Sequence, residues 1–194
     1  MASWQSMLTR DGSNSTKACT QSWIVIPNPA HVWIPWLNSP WALKECKNTN
    51  MPDINFVNIP LYMSSSMKPS SDFIPCLLVP SRAFSDQLIV YFHSNGENLE
   101  QAAVLVRRIV KKLHMSAIIV EYPGYGMHMG KPCEESILAT SEWVMQFIMR
   151  VLNFSLWDVF VFGRSIGSGP AVHLAYKYPH IGGLILISPM WSIR

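Results

Sequence analysis

Charge is scarce in this sequence: Asp, Glu, Lys and Arg together make 14% of its 194 residues, against 49% apolar. That balance excludes a disordered chain and fits a globular domain with an unusually uncharged surface. A net charge of +3, carried mostly by single residues, gives no case for a nucleic-acid partner. The densest basic group, Arg107, Arg108, Lys111 and Lys112, reads as the solvent face of one helix. Close cysteine pairs are lacking too. Cys19, Cys46, Cys76 and Cys133 form no C-x-x-C and no Cys/His cluster, so neither zinc nor a disulfide framework is expected. No metal or other cofactor is implied. The first residues, MASWQSMLTRDGSNSTKAC, have no apolar signal-peptide core, and a reducing, cytoplasmic compartment is the default expectation.

Formal charge is absent altogether over the 26 residues between Lys17 and Lys44, which hold Trp23, Trp33, Trp36 and Trp41. Length alone would allow a membrane span. Pro27, Pro29, Pro35 and Pro40 argue against one, because each removes an N–H where no water can compensate. Two readings stay open: an arm packed on the domain, or a peripheral membrane contact through indole rings, which favour the interface. Residues 1–50 are read as this Trp/Pro-rich arm and 51–194 as the domain.

Strands are expected around a Ser/Pro-rich turn between about 50 and 80. After Asp86 the rhythm becomes regular. Apolar runs at 88–93, 116–123, 158–163 and 183–188 alternate with helical patterns at 97–114, 134–152 and 165–178. In the first helix Leu99, Ala102, Val106, Ile109 and Leu113 recur at intervals of three and four. Continuous apolar strands alternating with helices predict an α/β fold with a mostly parallel sheet covered on both faces.

In such a sheet reactive groups gather at the carboxyl ends of the strands, where three loops fall. The string Gly163-Arg164-Ser165-Ile166-Gly167 joins the strand VFVFG to the helix that follows. That is the order a nucleophile elbow needs: a sharp turn exposing Ser165, with no side chain at Gly163 or Gly167 to collide with neighbouring backbone. An ordinary Gly/Ser turn is the competing reading. The second loop, His93-Ser94-Asn95-Gly96-Glu97-Asn98, can supply a backbone N–H, that of Asn95, to pair with the N–H of Ile166 as an oxyanion hole. His93 itself reads as structural. The third loop, EYPGYGMHMGKP, carries G-x-G-x-x-x-G, one residue too long for a dinucleotide fingerprint.

HSNGEN, EYPGYG and GRSIGSGPA, in this order, resemble the α/β-hydrolase superfamily, in particular a branch that includes 17-type protein depalmitoylases and serine-aminopeptidase-like relatives. Those relatives read H-G-N-A-E-D, D-Y-x-G-Y-G and G-x-S-[IL]-G; here Ser94 replaces Gly, Gly96 replaces Ala and Asn98 replaces Asp. The resemblance covers residues 73 to 194. It implies Ser165 as nucleophile, Asn95 and Ile166 as oxyanion donors, and an acyl-ester or acylated-protein substrate cleaved through an acyl-enzyme.

The superfamily's triad runs Ser, then Asp or Glu, then His along the chain. After Ser165 this sequence has no acidic residue, and its only later histidines are His173 and His180, both read as structural. Set against the family's eight strands, the chain stops just past the sixth, which leaves an apolar edge at GLILIS and suggests a truncated hydrolase. The alternative expectation is a non-catalytic binding or regulatory module.

Overall fold

The computed structural model describes residues 22–23, 44–45, 54–60, 73–82 and 85–190. Most of the Trp/Pro-rich arm therefore lies outside the described residues, apart from a two-residue antiparallel pairing of Ser22–Trp23 (β1) with Lys44–Glu45 (β2). The main sheet has six strands. Asn55–Pro60 (β3) and Phe73–Val79 (β4) pair antiparallel, as the turn between them suggested. Leu88–Phe92 (β5), Ser116–Val120 (β6), Val159–Arg164 (β7) and Gly183–Ile187 (β8) complete the sheet in the order β3-β4-β6-β5-β7-β8. The three pairings among β5 to β8 are parallel, while β4 meets β6 antiparallel. The sheet is thus mixed, with its parallel part where the alternation of strand and helix begins.

Residue alternation along β5 shows why all five of its side chains are apolar or aromatic. Leu88, Val90 and Phe92 enter one core cluster, and Ile89 and Tyr91 enter the other. Helix Leu99–Leu113 (α1) covers the second cluster. Helices Glu134–Arg150 (α2) and Ser168–Lys177 (α3) cover the first. A strand buried on both faces has no polar side, and β5 has none. The apolar stripe of α1 differs slightly from expectation: Leu99, Ala102, Ala103, Val106 and Val110 are buried, whereas Leu113 is half exposed, because the helix gives way to the left-handed cap His114 (φ 58°) one residue later.

Two caps fix where the helices start. Asn98 Oδ1 accepts from the Gln101 N–H at 2.9 Å and Gln101 Oε1 accepts from the Asn98 N–H at 3.0 Å, a reciprocal capping box. Cys133 does the same for α2 with Ser136. Among the described residues β8 has a strand neighbour on one side only, and its Leu184 and Ile187 are partly open to solvent.

Candidate active site

The turn at Ser165 is built from steric necessity. β7 ends at Arg164, a 3-10 turn spans Ser165–Gly167, and α3 begins at Ser168. Ser165 has φ +52°, a left-handed conformation that non-glycine residues seldom adopt. A Cβ on Gly163 would stand 2.8 Å from Ala171 Cβ and 2.7 Å from the Gly167 carbonyl carbon. One on Gly167 would overlap the Phe92 carbonyl oxygen and stand 2.9 Å from that of His93. The two glycines let β7, α3 and the end of β5 close on one another, and the turn is held in its strained form by that contact. Ser168 steadies it further: its hydroxyl donates to the Ser165 carbonyl at 2.6 Å and accepts from the Met190 N–H at 3.1 Å. Ser165 is partly exposed, and its hydroxyl has no hydrogen-bond partner among the described residues. The strand-turn-helix geometry expected of the G-x-S-x-G string is present.

Contact between Gly167 and the end of β5 also sets the second loop beside the turn. The Asn95 side chain accepts a hydrogen bond from the Tyr125 hydroxyl, which fixes the residue within the loop. Ile166 is buried, and its N–H belongs to the first turn of a helical segment, where donors lack partners within the helix. Its position at a helix N-terminus adds the favourable end of the helix dipole.

Beneath this loop lies a polar cluster that sequence reasoning only partly anticipated. His93 and Glu121 are almost fully buried, and Nε2 of His93 meets Glu121 Oε1 at 2.9 Å. The other ring nitrogen, Nδ1, lies 3.0 Å from the Ser94 carbonyl oxygen. Both ring nitrogens thus face oxygens of the loop and of Glu121, which fits a structural role for His93. The Tyr122 hydroxyl donates to the His93 carbonyl at 2.7 Å, and its ring lies against the imidazole with centroids 4.3 Å apart. His128 closes the group by setting Nδ1 3.0 Å from the Glu121 carbonyl oxygen. Burial pushes the Tyr125 phenol up to about 12, with the Glu121 charge adding to the effect, and lowers His128 from its ordinary value. Burial, and after it the charge on Glu121, also raises the neighbouring thiol of Cys76.

One glycine of the third loop serves this cluster. The Gly126 backbone (φ +50°) wraps so closely over Glu121 that a Cβ there would stand 3.3 Å from its carboxyl carbon. Only one signal in the sequence could have pointed to the cluster: an acidic residue directly after the apolar run SAIIV, followed by aromatics and glycines.

Two further imidazoles are engaged elsewhere. His173 Nε2 lies 2.7 Å from Glu142 Oε1, and Lys177 Nζ lies 2.5 Å from Glu142 Oε2, an ion cluster joining α2 to α3. That cluster holds the Glu142 carboxyl below its usual range, through Lys177 first and His173 second. His180 stacks on the exposed Trp157. Among the described residues, no hydrogen bond joins an imidazole to Ser165. A cleft of about 340 Å³ lies between α2 and α3, lined by Ile137, Leu138, Pro170, Val172, His173 and Tyr176, and includes none of Ser165, Asn95 or Ile166. No group of three or more metal-ligating side chains occurs among the described residues.

No known protein-family profile matches the chain. Over 107 residues it is 31% identical to "Protein bem46" of Schizosaccharomyces pombe, covering 55% of this chain and 36% of that one. Over 117 residues it is 27% identical to human "Alpha/beta hydrolase domain-containing protein 17C", covering 60% and 35%. An α/β hydrolase from Vibrio vulnificus superposes with a TM-score of 0.58 at 18% identity, over 74% of this chain and 48% of that one. The carboxylesterase EstE1, cloned from a metagenomic library, gives 0.54 at 17% identity, over 72% and 48%. The match thus spans about a third of the length of the curated relatives and about half that of the solved structures. The resemblance carried by the three motifs and the expected fold class are both shown: the chain is related in sequence to α/β hydrolases, the 17-type among them, and carries their fold.

Proposed function

We propose that this relative of the α/β hydrolases serves as a serine hydrolase, cleaving an ester or thioester through an acyl-enzyme on Ser165. The observation that carries the reading is the serine held at φ +52° between two glycines whose neighbours leave no room for a side chain. In the proposed reaction Ser165 Oγ attacks the acyl carbon while its proton passes to a base. The N–H groups of Asn95 and Ile166 stabilise the resulting oxyanion. Collapse expels the alcohol or thiol, which takes up the proton, and water then releases the acid. Each oxyanion donor of this kind is worth roughly 10²–10³ in rate.

Acylated proteins are the proposed substrates. The low charge of the sequence and the exposed Met127 and Met129, on the loop after β6, support an apolar acyl group. We place the reaction in the cytoplasm, supported by the free thiols of Cys76 and Cys133, with the Trp-rich arm as a peripheral membrane contact. No described helix is long and apolar enough to cross a membrane.

A second reading, a non-catalytic binding or regulatory module, is favoured by one specific observation: no hydrogen bond joins a described imidazole to Ser165. Covalent labelling by a fluorophosphonate separates the two. The hydrolase reading expects labelling of the chain that disappears in Ser165→Ala. An unlabelled wild-type chain would favour the binding module.

A further inference from the structure

We propose that the ion pair between Glu97 and Arg164 is a positioning device that fastens the Asn95 loop to the nucleophile turn. This rests on the hydrolase reading above.

Arg164 is the last residue of β7 and directly precedes Ser165. Its Nη1 reaches Glu97 Oε1, 67 positions earlier in the chain. The same carboxylate accepts the Ser94 N–H through Oε2 at 3.1 Å, and the Glu97 N–H donates to the Ser94 carbonyl at 3.1 Å. Both main-chain groups of Ser94 are therefore tied to Glu97, and Asn95 lies inside the ring so formed. Moving Glu97 moves Asn95. Arg164 draws Glu97 toward the residue before the nucleophile, and so sets the distance between the two proposed oxyanion donors.

The charges also have to cancel. The Glu97 side chain is 18% exposed, and a bare carboxylate beside the turn would repel a developing oxyanion. Arg164, 39% exposed, neutralises it. Both charges bear on one buried neighbour. Burial pushes the Tyr91 phenol up to about 12, with Glu97 raising it further and Arg164 opposing. The pair thus gives the loop an anchor without leaving a net negative charge at the site. An arginine suits the task because its planar fork fixes direction as well as charge.

The test uses the full 194-residue chain and three variants. Arg164→Met removes the charge but keeps an apolar stem, Arg164→Lys restores the charge, and Glu97→Gln keeps an acceptor for Ser94 without the charge. Read-outs are the second-order rate of fluorophosphonate labelling at Ser165, hydrogen exchange of amides 94–98, and the urea midpoint. The expected result for Arg164→Met and Glu97→Gln is labelling slowed about 10- to 100-fold, as a small misplacement of reacting groups does, with an unchanged midpoint. Exchange at 94–98 should quicken in Arg164→Met, and Arg164→Lys should recover most of both losses. Labelling at the wild-type rate in Arg164→Met would overturn the proposal, as would a loss that merely follows the midpoint. Should the wild-type chain itself not label, the hydrolase reading falls and exchange decides. Faster exchange in Arg164→Met, recovered in Arg164→Lys, keeps the fastening; unchanged exchange ends it.

Discussion

The turn at Gly163–Gly167 is set chiefly by close approach of backbone, with the Ser168 hydroxyl steadying it, whereas the loops at 93–98 and 121–132 add a network of buried side-chain hydrogen bonds to their own turns. Around Ser165 the deciding contacts are those a Cβ would make with Phe92, Gly167 and Ala171. Around Asn95 they are hydrogen bonds among His93, Glu121, Tyr122 and Glu97. The two regions meet where Gly167 touches the end of β5. A contact of the first kind fails all at once when atoms are added. One of the second kind weakens step by step as partners are removed, because each hydrogen bond is a modest net contribution.

The sharpest way to break this contrast is to add one carbon. Gly167→Ala places a Cβ into the Phe92 carbonyl, and a strand backbone at the centre of the sheet has little freedom to yield. The expected loss is about 3 kcal/mol, the upper part of the range for overpacking, read as a lower urea midpoint with an unchanged slope. Gly96→Ala is the internal control. Nothing lies within 4 Å of its added carbon, so that variant should stay near wild type. Equal midpoints for the two variants would show that the turn does not rest on β5 at all.

Next in size is the removal of the buried carboxylate. Glu121→Leu leaves His93 Nε2 and the Tyr122 N–H without their acceptor at 2.9 and 3.3 Å. Stranding buried polar groups costs roughly 1–3 kcal/mol. Glu121→Gln, whose amide oxygen can still accept, should lose less. A leucine variant no less stable than the glutamine one would mean that the cluster adds nothing to the loop's hold.

This difference in forces is also the difference between what the sequence revealed and what it hid. The steric turn writes itself as spacing: glycines at 163 and 167 around a serine, after β-branched residues and before a helix. The α/β fold was legible for the same local reason, since buried strands and amphipathic helices carry their own periodicity. The antiparallel joint between β4 and β6 was not, because it links segments far apart in the chain, with a strand and a helix between them. Glu121 and His93 are separated by 28 positions and Arg164 and Glu97 by 67, and no periodicity connects either pair. Arg164 fills an unspecified position of G-x-S-x-G, yet it reaches the neighbouring loop. The α1 stripe was misjudged in part: Ala103 and Val110 are buried, Ile109 is only partly so, and Leu113, which continues the pattern in sequence, is half exposed beside the left-handed cap at His114.

The smallest expected effect tests whether the side chains act as one unit. Tyr122→Phe deletes only the hydroxyl that donates to the His93 carbonyl at 2.7 Å, and keeps the ring packed on the imidazole. About 1 kcal/mol should be lost, the usual net value of a single hydrogen bond. Burial, with the Glu121 charge behind it, holds this phenol well above its ordinary value. The hydroxyl therefore stays a donor throughout the neutral range, and the loss should be the same at pH 6 and pH 9. Glu121 touches both ends of this contact, through the His93 ring and the Tyr122 N–H. Combining Tyr122→Phe with Glu121→Leu should therefore cost less than the sum of the two alone, as it does for residues sharing a network. Strict additivity would mean that the loop is held by separate ties, each replaceable by itself. In that case only the steric turn would deserve to be treated as one element.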